Sequence, residues 1–359
     1  MAGGRRRVAT VVATGLMLVA ACGRGGDDDA GDGAADEAVP PNDSDDTAVG
    51  ARTSSDGCDS DSAAPAADER VTLQSGGEER WYLRHLPPSY DGAEAVPLVV
   101  DFHGYSEGAE VHVMNSELSA FGDEHGFVTL TPQGRGEVPR WEPTPDGVDV
   151  AFVGDLLDEA AATLCVDPTR FYATGLSNGA MMTSVVACVF ADRIAAAAPV
   201  AGVADVGTCE PTRPVPVVSF HGTDDPFIDY EGGFGPAVAN LPAPDGRGTL
   251  GDLDEQEADD LDDTGGVDGQ SVPEVMAGWA GRNGCHDDAP AETEVADDVT
   301  ILSYGCPEGA EVELYRIEGG GHTWPGSPLL DGVELVGPTT FSISANEVMW
   351  EFFEDHPLA

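Results

Sequence analysis

The chain has 359 residues and a formal net charge of −50, with 66 acidic residues against 16 basic ones, all of them arginine. So acidic a surface repels nucleic acid and anionic membrane, which excludes both as direct partners. An apolar fraction of 41% supplies a full core, and the length allows one large α/β domain or two average ones.

The first element in chain order is a targeting segment, residues 1–21. "MAGGRRR" is a basic opening, and "VATVVATGLMLVAA" is an apolar run too short to span a bilayer comfortably. It runs into "LVAAC", which resembles a bacterial lipobox. That resemblance implies that Cys22 is lipidated and becomes the mature N-terminus, so that any membrane contact is made through the lipid alone. An ordinary cleaved signal peptide is the alternative, and the arginine run also resembles a twin-arginine signal loosely, so the export route stays open. Residues 22–65 are rich in Asp, Gly, Ala and Ser. Such a stretch buries too little surface to offset its ordering entropy, and it reads as an acidic disordered tether ahead of a catalytic domain at 66–359. The acid excess has two readings: adaptation to salty water, where ions screen the repulsion, or concentration of charge in segments like this one.

Within 66–359, short apolar runs alternate with amphipathic ones. "ERWYLRHLP", "VPLVVDFHG", "GFVTLTPQG", "TRFYATGLS", "IAAAAPVAG", "VPVVSFHG", "VTILSYG" and "VELYRIEG" read as strands. "FVGDLLDEAAATL", "NGAMMTSVVACVF", "SVPEVMAGWAGRNG" and "SANEVMWEFFEDH" read as helices, with Ser271 as an N-cap before Pro273 and with Ser344 and Glu347 spaced as a capping box. The alternation predicts a mostly parallel sheet with helices on both faces. Residues 226 to about 270 break the pattern. They are acidic, rich in Gly and Pro and poor in core residues, and read as a surface excursion or lid. Their aspartates lack the glycine-centred spacing of a calcium loop, and no HxH or HExxH occurs, so no metal is expected.

Besides Cys22 there are six cysteines, an even number that suits disulfides outside the cytoplasm. Six allow fifteen connectivities. Short loops favour Cys188–Cys209 and Cys285–Cys306, which leaves Cys58–Cys165 to pin the end of the tether to the domain.

The chemistry concentrates in Gly175-Leu176-Ser177-Asn178-Gly179, a G-x-S-x-G between a predicted strand and a predicted helix. In that setting the serine sits on a sharp turn with its hydroxyl exposed, whereas a plain tight bend would need no further partners. A hydroxyl needs a base to become a nucleophile. His322, in "EGGGHTWPG", follows a strand late in the chain, and Asp225, in "FHGTDDPF", follows the strand between them, although Asp224 and Asp229 stand close by. The order Ser177, Asp225, His322 is the one expected of an α/β-hydrolase. His85, His112, His125, His286 and His356 read as surface residues, and His103 and His221 as turn-shaping residues at strand ends. Two backbone amides must receive the developing oxyanion. Asn178, after the nucleophile, is one, and Tyr105, in "HGYSEG", is the other. Trp141 and Trp324 read either as pocket walls or as aromatics buried under a loop.

The runs "CVDPTRFYATGLSNGAMMTSVVAC", "PVPVVSFHGTDDPF" and "GGGHTWPG" together resemble the secreted polyhydroxybutyrate depolymerase and feruloyl esterase family over residues 70 to 359, less the acidic excursion. The resemblance implies an α/β-hydrolase fold, no cofactor, and carboxylic esters as substrates, possibly polymeric; a monomer is expected. It carries the nucleophile to Ser177, the acid to Asp225 and the base to His322. One departure is Tyr105, where relatives often have cysteine. The motifs do not separate aryl esters on polysaccharide from hydroxyalkanoate polyesters. A serine peptidase on the same fold, or a silent surface binding lipoprotein, remains the alternative.

Overall fold

The computed structural model describes residues 54–59, 68–253, 269–286 and 289–359. The targeting segment, Cys22, most of the 22–65 stretch and residues 254–268 of the acidic excursion lie outside the described residues.

Among the described residues ten strands form one sheet: β1 (Glu69–Ser75), β2 (Glu78–His85), β3 (Val96–Phe102), β4 (Val128–Pro132), β5 (Val166–Leu176), β6 (Ile194–Val200), β7 (Val217–Gly222), β8 (Ala291–Ala296), β9 (Val299–Ser303) and β10 (Val312–Ile317). Their order is β1-β2-β4-β3-β5-β6-β7-β10-β9-β8. The six central strands, β4 to β10 in that order, are parallel, and the pairs outside them are antiparallel. A parallel sheet must be covered on both faces, and the sequence of its strands meets that demand. Leu98, Val100 and Phe102 of β3 enter one core with α3 (Val148–Thr163), α4 (Asn178–Val189) and α5 (Val272–Arg282). Val99 of β3, Tyr172 of β5 and Phe220 of β7 enter the other, with α2 (Leu118–His125) and α6 (Ala345–Asp355). The first helix, α1 (Ala109–Ser116), follows the turn after β3.

Local signals end where the sequence predicts. The Glu274 carboxylate accepts from both the amide and the hydroxyl of Ser271 at the start of α5, and Ser344 Oγ accepts from the Glu347 amide at the start of α6. Three disulfides join Cys58–Cys165, Cys188–Cys209 and Cys285–Cys306. The first fixes the short 3-10 turn Asp56–Asp59 to the start of β5, where Ser55 also donates its amide to the Val166 carbonyl.

The acidic excursion is corrected in part. Its described residues are not a bare surface loop: Phe227, Ile228, Tyr230, Ala237 and Ala243 are buried. Phe227, Ile228 and Ala237 form a small apolar cluster with Met181 of α4 and Ala204.

Candidate active site

Parallel α/β sheets gather ligand-binding groups at the carboxyl ends of their strands, and the chemically competent residues are here. Ser177 follows β5, Asp225 follows β7, His322 follows β10 and Tyr105 follows β3.

Ser177 is held at φ 58° and ψ −119°, a positive-φ conformation outside the left-handed helical well that costs on the order of 1–3 kcal/mol and persists only where its surroundings enforce it. They do. The Ser177 amide donates to the Val200 carbonyl of β6, and the Ser177 carbonyl accepts from Ala180 and Met181 as α4 begins. A side chain on Gly179 would collide with the carbonyl oxygens of Phe102 and His103, so only glycine lets α4 start this close to β3.

The Asp225 carboxylate is wholly buried. Its Oδ1 accepts from the amides of Phe227 (2.8 Å) and Ile228 (3.0 Å), and its Oδ2 accepts from His322 Nδ1 (2.7 Å). Burial alone would raise this carboxyl, but the His322 ring, its hydrogen bond, His221 and the Ile228 amide outweigh it and hold it below the ordinary range. His221 lies behind: its Nε2–H donates to the Ile228 carbonyl at 3.0 Å and stands 3.4 Å from Asp225 Oδ2. Burial depresses His221, so Asp225 sits between two imidazoles, one of them kept uncharged. The glycine run before His322 packs tightly. The His322 amide donates to the Val336 carbonyl, and a side chain on Gly321 would collide with that same oxygen. The Phe227 ring leans on the imidazole of His322 at 4.9 Å between centroids. Ser177 Oγ makes no hydrogen bond to a protein group among the described residues; nucleophile–base bonds commonly tighten only with substrate.

The turn after β3 is almost fully committed. The His103 carbonyl accepts from the Trp141 indole (2.9 Å), His103 Nδ1–H donates to the Gly104 carbonyl (2.7 Å) and Gly134 N–H donates to His103 Nε2 (2.8 Å). One ring nitrogen donates and the other accepts, so the ring is neutral, and burial agrees by pushing His103 down to about 4. Ser106 N–H donates to the Pro139 carbonyl, and the Tyr105 hydroxyl to the Pro242 carbonyl. The amides of Tyr105 and Asn178 have no acceptor among the described residues. The turn packs against the nucleophile: a side chain on Gly104 would stand 3.7 Å from Ser177 Cβ. The Asn178 side chain is spent on the Trp141 backbone, accepting from its amide (2.7 Å) and donating to its carbonyl (3.2 Å).

Two expectations change. Trp141 and Trp324 are 2% and 1% exposed, so they are not pocket walls. Each indole N–H is used inside, on the His103 carbonyl and on Asn346 Oδ1. His112 is not a surface residue. It is fully buried, with Nε2 2.7 Å from Asp101 Oδ1 and Nδ1 3.0 Å from Glu107 Oε2. Both nitrogens face carboxylates, so both carry protons. Burial opposes that charge, but the two anions win and lift His112 to about 10, while Glu107, itself resisting burial, is drawn down to about 2. Sequence reading also passed over Asp101, Glu107 and Phe227; the aromatic placed two residues after the acid in "DDPF" was the available signal for the last. Among the described residues no cluster of His, Cys, Asp and Glu is arranged to hold a metal.

The sheet order and the residues at its carboxyl edge define an α/β-hydrolase. The fold is shared with acetyl xylan esterase from Aspergillus awamori, at a TM-score of 0.55 over 80% of this chain and 99% of that one, with 16% identity. By sequence the chain is similar to feruloyl esterase B of Piromyces equi, 28% identical over 66% of this chain, and to the putative esterase NocK of Nocardia uniformis, 28% identical over 80% of this chain and 84% of that protein. It is also similar to poly(3-hydroxyalkanoate) depolymerase C of Paucimonas lemoignei, 36% identical over 33% of this chain and 30% of that one. The match spans 41% of the length of feruloyl esterase B. No protein-family model matches the chain. These relatives are the esterases and depolymerases whose motifs the sequence resembles.

Proposed function

We propose that the chain is an exported serine esterase that cleaves carboxylic esters through an acyl-enzyme. The observation that carries this is the buried 2.7 Å pair of Asp225 and His322, set, like the strained turn of Ser177, just past the carboxyl ends of the parallel strands. Ser177 Oγ attacks the ester carbonyl carbon while His322 Nε2 takes its proton. Asp225 holds the Nδ1–H and stabilises the imidazolium. The carbonyl oxygen becomes an oxyanion in the reach of the Tyr105 and Asn178 amides. Collapse breaks the bond to the alcohol, which leaves with the proton from His322. Water then repeats the steps and releases the acid. No cofactor is needed.

The relatives' names, feruloyl esterase, acetylxylan esterase and polyhydroxyalkanoate depolymerase, favour an ester of a polymer or a polyester as substrate. Three disulfides favour an oxidising compartment, and the lipobox-like "LVAAC" favours a lipid anchor on Cys22, which mass spectrometry of the mature N-terminus tests. The enzyme reading is tested by Ser177→Ala. Turnover of a soluble p-nitrophenyl ester should fall by about a thousandfold or more in a folded protein, and fluorophosphonate labelling should vanish. A wild-type protein that neither turns over esters nor takes the label would leave a silent binding protein on this fold.

A further inference from the structure

A second buried charged cluster lies beneath the turn that carries Tyr105. The Gly104 amide donates to Glu107 Oε2 at 2.7 Å, and the Glu107 amide donates back to the Gly104 carbonyl at 3.2 Å, which closes the turn. Glu107 Oε2 also accepts from His112 Nδ1, and Oε1 accepts from Asn115 Nδ2 at 2.9 Å. His112 is held from its other side by Asp101 of β3, whose Oδ2 accepts from Ser116 Oγ at 2.7 Å. The network continues to the loop of His322. The Ser116 carbonyl accepts from Asn346 Nδ2 at 2.8 Å, and Asn346 Oδ1 accepts from the indole of Trp324, two residues beyond His322. The His112 ring also meets the Trp324 indole edge-on, 5.7 Å between centroids.

We propose that Glu107, clamped by His112, is a positioning residue that aims the Tyr105 amide at the oxyanion. This rests on the serine esterase reading of Ser177. The peptide unit is planar and trans, so the Gly104 carbonyl and the Tyr105 N–H point in opposite directions along one rigid plate. Fixing that carbonyl fixes the direction of that N–H. The carbonyl is fixed by His103 Nδ1–H and the Glu107 amide, and Glu107 is fixed by charge-assisted bonds, which are the shorter and stronger kind. A residue at 107 with no acceptor for the Gly104 amide would let the plate rock. Oxyanion donors act only when aimed in advance at where charge develops, and a small misplacement loses the benefit. Because the same network holds Trp324, the donor and the loop of the base are referred to one buried imidazolium.

The test compares Glu107→Leu, which removes the acceptor at similar size, with Glu107→Gln, which keeps an oxygen for the Gly104 amide. The expected result for Glu107→Leu is a fall in kcat of roughly ten- to a hundredfold with KM within about threefold, and an equal loss of affinity for a boronic acid that mimics the tetrahedral intermediate. Glu107→Gln should recover most of both. A folded Glu107→Leu protein with kcat and boronate affinity within threefold of wild type overturns the proposal, as does a loss confined to KM. Should that variant not fold, amide proton shifts of the wild-type protein decide. Boronate must move the Tyr105 amide and leave Gly104 in place; the reverse overturns the proposal. A wild-type protein that is inactive and unlabelled by fluorophosphonate would instead defeat the esterase reading itself.

Discussion

The protein buries two histidine–carboxylate clusters of opposite make-up. Around Asp225, one carboxylate serves two imidazoles, His322 and His221. Around His112, one imidazole serves two carboxylates, Asp101 and Glu107. The first holds one carboxylate between two imidazoles and the second one imidazolium between two carboxylates, and they suit different work. The first can take up a proton beside an anion already held by two backbone amides, so charge can move through it during a reaction. The second is already full: both ring nitrogens of His112 are occupied, and its proton stays until about pH 10. Burial alone therefore does not mark a catalytic histidine. What separates the clusters is whether a ring nitrogen is left over.

The comparison breaks most sharply at Asp225. Asp225→Asn keeps the shape but removes the charge and can hold the wrong tautomer, so turnover near neutral pH should drop on the order of a thousandfold or more, measured on one soluble ester. Asp224→Asn and Asp229→Asn should each cost roughly tenfold or less, acting through the general field. A crippled Asp224→Asn beside a near-normal Asp225→Asn would move the acid by one residue.

At the second cluster the expected loss is in stability. His112→Gln leaves two buried carboxylates without their cation, at about 3–5 kcal/mol. The pH dependence gives the sign. His112 has a folded value above its ordinary 6.5, so its contribution is full below 6.5 and fades as pH rises toward about 10. Glu107 has a folded value below its ordinary 4.5, so its contribution is full above 4.5 and fades as pH falls toward about 2. Urea unfolding of wild type and variant should therefore differ most between about pH 4.5 and 6.5 and converge toward pH 10. A gap that does not change with pH would mean that His112 is not an imidazolium.

The smallest effect sharpens the contrast within the first cluster. His221→Phe removes the N–H on the Ile228 carbonyl, at about 1–3 kcal/mol of stability. Asp225 keeps its two amide donors and His322, so turnover should fall no more than about tenfold, one step of 1.36 kcal/mol in barrier. A loss near that of Asp225→Asn would make His221 a full partner of the acid.

Much of this was legible because the chemistry and the folding signals share residues. Gly175, Ser177 and Gly179 stand out since a strand, a sharp turn and a helix must meet there, and the apolar runs of β3, β5, β6 and β7 are long enough to announce buried strands. The rest was hidden by inverted patterning. In α1 the apolar Val111 and Met114 are 42% and 56% exposed, while His112, Asn115 and Ser116 are buried, so hydropathy points the wrong way round. The edge strands β1 and β8 are mostly exposed; β1 alternates only over Val71-Thr72-Leu73-Gln74, and β8 buries none of its residues. Phe227, Ile228 and Ala237 lie in a Gly- and Pro-rich stretch whose composition concealed that it packs apolar side chains on Met181 and Ala204 and lays the Phe227 ring on His322.

The staple at Cys58–Cys165 has a mechanical meaning. It ties the chain to the first residues of β5, whereas Ser177 stands just past the last, about 25 Å away along the strand. A tug applied upstream of residue 54 thus enters at the rear of the central strand, and the bridge, spanning 107 residues of sequence, carries it past β1 to β4 without peeling them.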